Sequence, residues 1–207
     1  MELLVATRNK KKLEEIRELL SGLDIQITSL KDYQGLPKII EDGKTFAQNA
    51  ILKAVTIAQY TKKIVLGEDS GLEAKALNNK PGVVSARYAV SSQARHGRNA
   101  TDRANNLKLL RELRGVPLKK RVARYRCAVA LADGRGLIGV VSGSCMGLIG
   151  FRSQGHFGFG YDPLFIIEKY GKTFAQLGPE IKHRMSHRYK ALKKARKLIE
   201  QILRCNA

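Results

Sequence analysis

The feature that most restricts the fold of this chain is the stretch from Val122 to Ile149. Ala123, Tyr125, Cys127, Val129 and Leu131 alternate with their neighbours, placing Arg124 and Arg126 on the opposite face. A period of two is the signature of a strand with one face buried. Asp133-Gly134-Arg135-Gly136 then supplies a hairpin signal, and Leu137 to Ile149 reads as the returning strand. A hairpin is marginal alone, so other strands and helices must cover it.

Those elements are legible upstream. Glu2-Leu3-Leu4-Val5-Ala6 is a short apolar run ending at Thr7-Arg8-Asn9, the pattern of a strand entering a loop. Leu13, Ile16, Leu19 and Leu20 recur at helical spacing, with Gly22 as the stop. A second strand is expected around Ile25–Leu30, followed by breaks at Gly35 and Pro37. Thr45 and Gln48 have the spacing of a capping box, and Phe46, Ala50, Ala54, Ile57 and Ala58 form an apolar stripe behind it. Ile64-Val65-Leu66 predicts a short buried strand that terminates in Gly67-Glu68-Asp69-Ser70-Gly71. Residues 91–100 are polar and basic and are expected to form a mobile loop. Thr101 can cap a helix carrying Leu107, Leu110 and Leu113, ended by Gly115 and Pro117. After the glycine-rich stretch Gly155–Gly160, residues 163–167 predict a strand, and an amphipathic helix runs from Ser186 with Leu192, Ala195, Leu198, Ile199 and Ile202 inward. Strands and helices alternate early and a hairpin follows, so the expected class is α/β with a partly mixed sheet. A chain of 207 residues is long enough to bury a substantial core as a single domain, or as one with a small lobe.

Composition narrows the function. Hydrophobic residues make up 43% and charged residues 27%, too apolar for disorder. The longest charge-free run, Leu137 to Phe151, is too short for a spanning helix and is broken by Gly139, Gly143, Gly147 and Gly150. The N-terminal bases follow the apolar run, the reverse of a secretory signal. Cys127, Cys145 and Cys205 are widely spaced and odd in number, so no disulfide framework or CxxC pair is expected, and a reducing cytoplasm is the default. Lys and Arg total 38 against 18 Asp and Glu, a net charge of +20. That excess suits an anionic partner: nucleic acid, a membrane surface or a phosphorylated small molecule. A solvated basic surface would carry it equally well.

Chemistry-bearing residues gather where strands meet loops and loops meet helices. Thr7, Arg8, Asn9, Lys10, Lys11 and Lys12 surround a helix N-terminus, whose free N–H groups and positive dipole suit a phosphate, although a solvated helix start looks the same. The Walker sequence is absent. Glu68 and Asp69, adjacent at a strand end, offer hard oxygens for Mg²⁺ or Mn²⁺ or a general base, with Glu41 and Asp42 as further carboxylates. Asn49 and Lys53 share a helix face. Phe159, between glycines in Gly158-Phe159-Gly160-Tyr161-Asp162-Pro163, suits stacking on a flat ligand or a tight structural turn. Lys182, His183, Arg184, His187 and Arg188 crowd the start of the last helix and suit phosphate or base carbonyl oxygens.

In this order and spacing the clusters resemble the inosine triphosphate pyrophosphatase family, the Ham1-like enzymes of non-canonical purine nucleoside triphosphates. The matching strings are Thr7-x-Asn9-x-x-Lys12, Glu41-x-Gly43-x-Thr45-Phe46-x-x-Asn49-Ala50-x-x-Lys53-Ala54, Glu68-Asp69-Ser70-Gly71-Leu72, Pro81-Gly82-Val83-x-Ser85-Ala86-Arg87-Tyr88, Phe159-Gly160-Tyr161-Asp162-Pro163 and Ser186-His187-Arg188. The resemblance implies a single α/β domain over residues 1–207. Its long mixed sheet would be flanked by helices, in two lobes around a central active-site cleft, usually as a homodimer. It implies Mg²⁺-dependent hydrolysis of ITP, dITP and XTP to the monophosphate and pyrophosphate, with no need of nucleic acid or membrane. By position, Asp69 matches the general base and metal carboxylate. Thr7, Asn9, Lys12 and Lys53 match triphosphate contacts, and Ser70 a substrate contact. Phe159, Gly160, Tyr161, Asp162, Lys182, His187 and Arg188 match the nucleoside and base positions.

Three departures from the family pattern stand out. Arg8 replaces a small residue of the phosphate loop, either crowding it or adding a contact. Ile40 precedes Glu41 where many members carry a second acid, which leaves Glu41 or Glu68 as the further metal ligand. Ser91–Ala100 is longer and more basic than expected. A second class of function, nucleic-acid binding through Lys190, Lys193, Lys194, Arg196 and Lys197 of the last helix, would not require Glu68 and Asp69 together.

Overall fold

The computed structural model describes residues 1–90 and 100–205. Except for Ala100, the expected basic loop at Ser91–Ala100 lies outside the described residues. The strands are β1 (Glu2–Val5), β2 (Gln26–Ser29), β3 (Ile64–Ala74), β4 (Lys80–Pro81), β5 (Val122–Asp133), β6 (Gly136–Ile149), β7 (Phe165–Ile167) and β8 (Lys172–Thr173). The helices are α1 (Lys10–Leu19), α2 (Phe46–Thr61), α3 (Asp102–Glu112), α4 (Phe174–Met185) and α5 (His187–Cys205). The strands are hydrogen-bonded in the order β2-β1-β3-β5-β6-β7-β8, with β4 on β3. β1 is parallel to β2 and β3, whereas β3–β4, β6–β7 and β7–β8 are antiparallel. This is the mixed sheet of an α/β fold. No helix among the described residues is long and apolar enough to cross a membrane.

The chain divides into two compact units, and β3, β5 and β6 contribute residues to both. The first holds Met1–Asp69, Cys127–Gly143 and the chain from His187 onward. Its core joins Leu3 and Val5 of β1, Ile16 and Leu20 of the α1 segment, Leu66 of β3, Cys127, Val129 and Leu131 of β5, and Ala191, Leu192, Ala195 and Ile199 of α5. Helix α2 begins at the expected capping box. Thr45 Oγ1 accepts from Gln48 N at 3.1 Å, and Gln48 Oε1 accepts from Thr45 N at 3.1 Å. The helix lies directly on β3 at Gly67, where a Cβ would stand 2.2 Å from Ala50 O and 2.7 Å from Ala54 N. Only glycine permits that approach. The β5–β6 turn falls at Gly134 and Arg135, and Asp133 Oδ1 accepts from Arg135 N at 2.8 Å.

The second unit comprises Ser70–Arg126 and Ser144–Ser186. Leu72, Tyr88, Leu109, Leu113, Tyr125, Ile149, Phe165 and Phe174 are central to its core, with Tyr125 and Phe165 ring centroids 4.6 Å apart. Helix α3 is capped by Thr101, as its sequence predicts. Its apolar stripe differs from the expected one. Leu109 and Leu113 are buried and Leu107 is 58% exposed, because Asn105 and Asn106 take part of the inward face.

Two further expectations are corrected. The acidic segment 67–71 is no turn: β3 continues through it to Ala74. Acids are poor strand formers, yet Glu68 and Asp69 are tolerated inside a buried strand because each meets a cation. The strand expected over residues 163–167 is confined to Phe165–Ile167. Helix α4 has no counterpart in the periodicity, being kinked at Gly178 (φ +79°) just before Pro179.

Candidate active site

In the first unit a connected set of charges lies along β3, between α1, α2 and α5. Asn9 caps α1, its Oδ1 accepting from Lys12 N at 3.2 Å, while Thr7 Oγ1 accepts from Asn9 N at 3.2 Å. These residues therefore shape the first turn of α1. Arg8, Asn9, Lys10 and Lys11 are exposed. Lys12 turns inward, its Nζ 2.7 Å from Glu68 Oε2. The other Glu68 oxygen, Oε1, accepts from Arg188 Nη2 at 3.2 Å, Arg188 Nε at 3.3 Å and the Cys127 thiol at 3.3 Å. Arg188 also donates to Glu15. Its guanidinium is thus enclosed between two carboxylates and stands only 2% exposed. Burial works against this charge, but Glu68 and Glu15 outweigh it and hold the proton more tightly than usual. Burial, then Glu68, pushes the Cys127 thiol well up.

One residue along β3, Asp69 has a different setting. Its Oδ2 accepts from Asn49 Nδ2 at 3.0 Å, and Lys53 Nζ lies 3.5 Å from its Oδ1. The same ammonium is 3.1 Å from Glu41 Oε2. Asn49 and Lys53, one turn apart on α2, thus meet the same carboxylate. Asn49 also anchors the preceding loop, since its Oδ1 accepts from Gly43 N at 2.9 Å. Burial raises the Asp69 pKa, and Lys53, Lys12 and Asn49 only partly oppose the rise. Burial likewise disfavours the Lys53 ammonium, yet Asp69, Glu41 and Glu68 raise its pKa overall. The result is a protected carboxylate with heightened proton affinity, held by a fixed donor on one oxygen and a cation beside the other. That is the setting of a general base.

Among the described residues, no group of three or more His, Cys, Asp or Glu side chains is arranged to hold a metal ion. The pair Glu41 and Asp69 nevertheless brackets one positive charge, that of Lys53. A pair of this kind fits the habits of Mg²⁺, which commonly takes one or two carboxylates and completes its shell with water and substrate phosphate. Glu68 fits less well, because Lys12, Arg188 and Cys127 already engage both its oxygens.

The second unit holds a separate polar cluster around Asp162. Asp162 Oδ2 accepts from Phe159 N at 2.9 Å and from Lys182 Nζ at 2.8 Å, and Oδ1 accepts from Tyr125 O–H at 3.2 Å. Tyr125 oxygen in turn accepts from Tyr161 N at 3.1 Å. Lys182 Nζ lies 4.7 Å from the Phe159 ring centroid, a cation–π contact. Gly158 has φ +77°, and a Cβ there would be 2.2 Å from Asp162 Oδ2, so the turn requires glycine. Tyr161 is buried, donating its hydroxyl to Ser85 O at 2.8 Å. Phe159 and Gly160 are partly accessible.

The structure therefore brings Lys12, Glu41, Lys53, Glu68, Asp69 and Arg188 into one network, and Phe159, Gly160, Tyr161, Asp162 and Lys182 into another. Ser70 is half-buried in β3 and belongs to the second unit; His187 is buried at the start of α5 in the first. Sequence reasoning missed Glu15, Tyr125, Cys127, Asp102 and Asn106. The charged pair Glu15 and Arg188 carried no local signal, being far apart in the chain. Asn106, by contrast, stands among leucines on a predicted helix face, which is itself a cue.

The chain is similar to known proteins over nearly its whole length. The Ham1 family model matches residues 3–198. A dITP/XTP pyrophosphatase of Desulforamulus reducens is 46% identical over 202 residues, covering 98% of this chain and 97% of that protein. A dITP/XTP pyrophosphatase of Geobacter sulfurreducens is 47% identical over 190 residues, 92% of each chain. Among solved structures, a HAM1 protein from Coxiella burnetii superposes with TM-score 0.84 at 36% identity, over 97% of this chain and 99% of that one. A match of this extent places the chain in the Ham1 family.

Proposed function

We propose that this chain is a pyrophosphatase of non-canonical purine nucleoside triphosphates. It hydrolyses dITP, ITP and XTP to the monophosphate and pyrophosphate. The names of the Desulforamulus and Geobacter relatives support this reading. The observation that carries the chemistry is Asp69, buried, raised in proton affinity and oriented by Asn49 and Lys53. In the proposed reaction Asp69 takes a proton from the water that attacks the α-phosphorus, and pyrophosphate departs. Lys53 and Lys12 supply positive charge for the phosphates, as phosphoryl transfer demands, and the exposed Arg8, Lys10 and Lys11 add to the local field. Glu41 and Asp69 would hold Mg²⁺, with Glu68 setting the position of Lys12. When bound, the metal neutralises charge on the phosphate oxygens.

The second cluster is assigned to the base. Phe159 offers a ring for stacking, and Lys182, steadied by Asp162, is a donor for the 6-keto oxygen that distinguishes these purines from adenine. Family resemblance supports a homodimer in the cytoplasm, which light scattering of the purified protein and fractionation would check.

The test is pyrophosphate release from ITP, XTP, GTP and ATP with Mg²⁺, for wild type and Asp69→Asn. Turnover of ITP and XTP well above GTP and ATP is expected, lost in Asp69→Asn and on chelation. Equal turnover of GTP and ITP sinks the specificity, an active Asp69→Asn sinks the mechanism, and full activity with excess chelator sinks the metal.

A further inference from the structure

Helix α3 sets two adjacent asparagines against different loops of its unit, and their amides are unequally used. Asn105 is fully engaged: its Oδ1 accepts from Ala89 N at 2.8 Å and its Nδ2 donates to Ala86 O at 3.2 Å. Asn106 is half engaged. Its Nδ2 donates to Gly160 O at 3.0 Å, while its buried Oδ1 has no hydrogen-bond partner among the described residues. The residue is only 6% exposed. The amide cannot simply turn over, because exchange of its two ends would set oxygen against the Gly160 carbonyl.

Four backbone donors of the adjacent loop are already committed elsewhere. Phe159 N goes to Asp162 Oδ2, Gly160 N to Asp102 Oδ2 at 2.7 Å, Tyr161 N to the Tyr125 hydroxyl, and Asp162 N to Phe159 O. Lys182 Nζ donates to Asp162 Oδ2 at 2.8 Å and does not reach Asn106 Oδ1. Asp102 and Asn106, one helical turn apart, thus grip Gly160 from its N–H and its carbonyl, beside the ring of Phe159. Buried acceptors are rarely left unmet in folded proteins, and one that the fold itself does not meet points to a donor from outside it.

We propose that Asn106 is a specificity-determining residue for the base, its amide oxygen accepting the N1–H of a 6-keto purine. The inference rests on the function proposed above. Hypoxanthine and xanthine both carry N1–H, whereas adenine presents an acceptor at N1 and would leave two acceptors opposed. Asp102 is then a positioning residue: it steadies Gly160 and reads nothing of the base itself. Guanine also carries N1–H, so Asn106 separates keto from amino purines and leaves guanine to other groups.

The experiment compares kcat/KM for ITP and for ITP methylated at N1, in wild type, Asn106→Ala, Asn106→Leu and Asp102→Ala. Wild type should prefer ITP by about tenfold or more, the worth of one well-placed hydrogen bond. Asn106→Ala should lower ITP turnover by about that factor, chiefly through KM, and leave the methylated substrate nearly unchanged. Asp102→Ala should lower both substrates alike. Asn106→Leu repeats the alanine test with the side-chain volume kept, and equal wild-type turnover of the two substrates still refutes the proposal if neither Asn106 variant folds. Equal wild-type turnover of the two substrates overturns the proposal. So does an equal loss on both in the Asn106 variants, which would mean that the amide oxygen meets only a buried water. A wild type that hydrolyses neither substrate fails at the functional reading and takes this inference with it, whereas turnover without preference removes this inference alone.

Discussion

Replacing Gly67 by alanine should damage stability and catalysis together, and the size of each effect follows from the packing of α2 on β3. The new Cβ would stand 2.2 Å from Ala50 O, where ordinary contact begins near 3.4 Å. The shortfall is about 1.2 Å, and the opposing atom is helix backbone, which cannot rotate aside. Overpacking of this kind costs about 1–3 kcal/mol, or roughly 2–4 °C in Tm per kcal/mol for a chain of this length. If α2 withdraws by that distance, Asn49 Nδ2 moves from 3.0 Å to about 4.2 Å from Asp69 Oδ2, beyond hydrogen-bond reach. A misplacement near 1 Å can reduce turnover by about a hundredfold. Thermal unfolding and steady-state pyrophosphate release on the same preparation measure both effects. A variant that melts with wild type and keeps its kcat/KM would refute the claim that this close approach positions the base.

Other substitutions test other parts of the site. Asp69 must be ionised to accept a proton, and its pKa lies above the ordinary value of 3.8. In the metal-free protein Asp69 should therefore titrate above an exposed aspartate, as the NMR signal of its carboxyl carbon would report. Lys53→Met removes a cation that lowers this pKa and should move that metal-free titration further up; a midpoint that stays put or moves down contradicts the assignment. Arg188→Met leaves the buried Glu68 and the part-buried Glu15 without their shared guanidinium and should cost about 3–5 kcal/mol by urea denaturation. A loss below about 1 kcal/mol would show that the carboxylates find other partners. Asn49→Leu, which removes the bond to Asp69 and the hold on Gly43, should lower kcat more than it raises KM, and an effect confined to KM argues against orientation of the base.

Much of the fold was legible because its signals are local. The alternation in Val122–Leu131, the turn after Asp133 and the Thr45–Gln48 capping box each depend on neighbouring residues, and each stands where it was expected. Residue type foretold part of the charged network: Lys53 meets Glu41 and Asp69, and Lys12 meets Glu68. What escaped depends on contacts distant in the chain. Glu68 and Asp69 look like turn residues, and only Arg188, Lys12 and Lys53, brought by three helices, make a strand tolerable there. Helix α4 was obscured by Gly178 and Pro179, which interrupt its periodicity, although Thr173 and Gln176 form the same kind of capping box as Thr45 and Gln48. The inward turn of α3 departs from the leucine pattern because Asn105 and Asn106 displace leucine from it, and their partners lie in loops no pattern foretells.

Asn49 has a consequence of another kind. A single amide holds the Gly43 backbone with one end and the Asp69 carboxylate with the other, so the loop bearing Glu41 and the strand bearing the base move as one piece. The conformational entropy of ordering this corner is lost when the chain folds and is not lost again each time a substrate arrives. Turnover can then be fast without a slow loop rearrangement on that side, and a rate independent of solvent viscosity would be its kinetic mark.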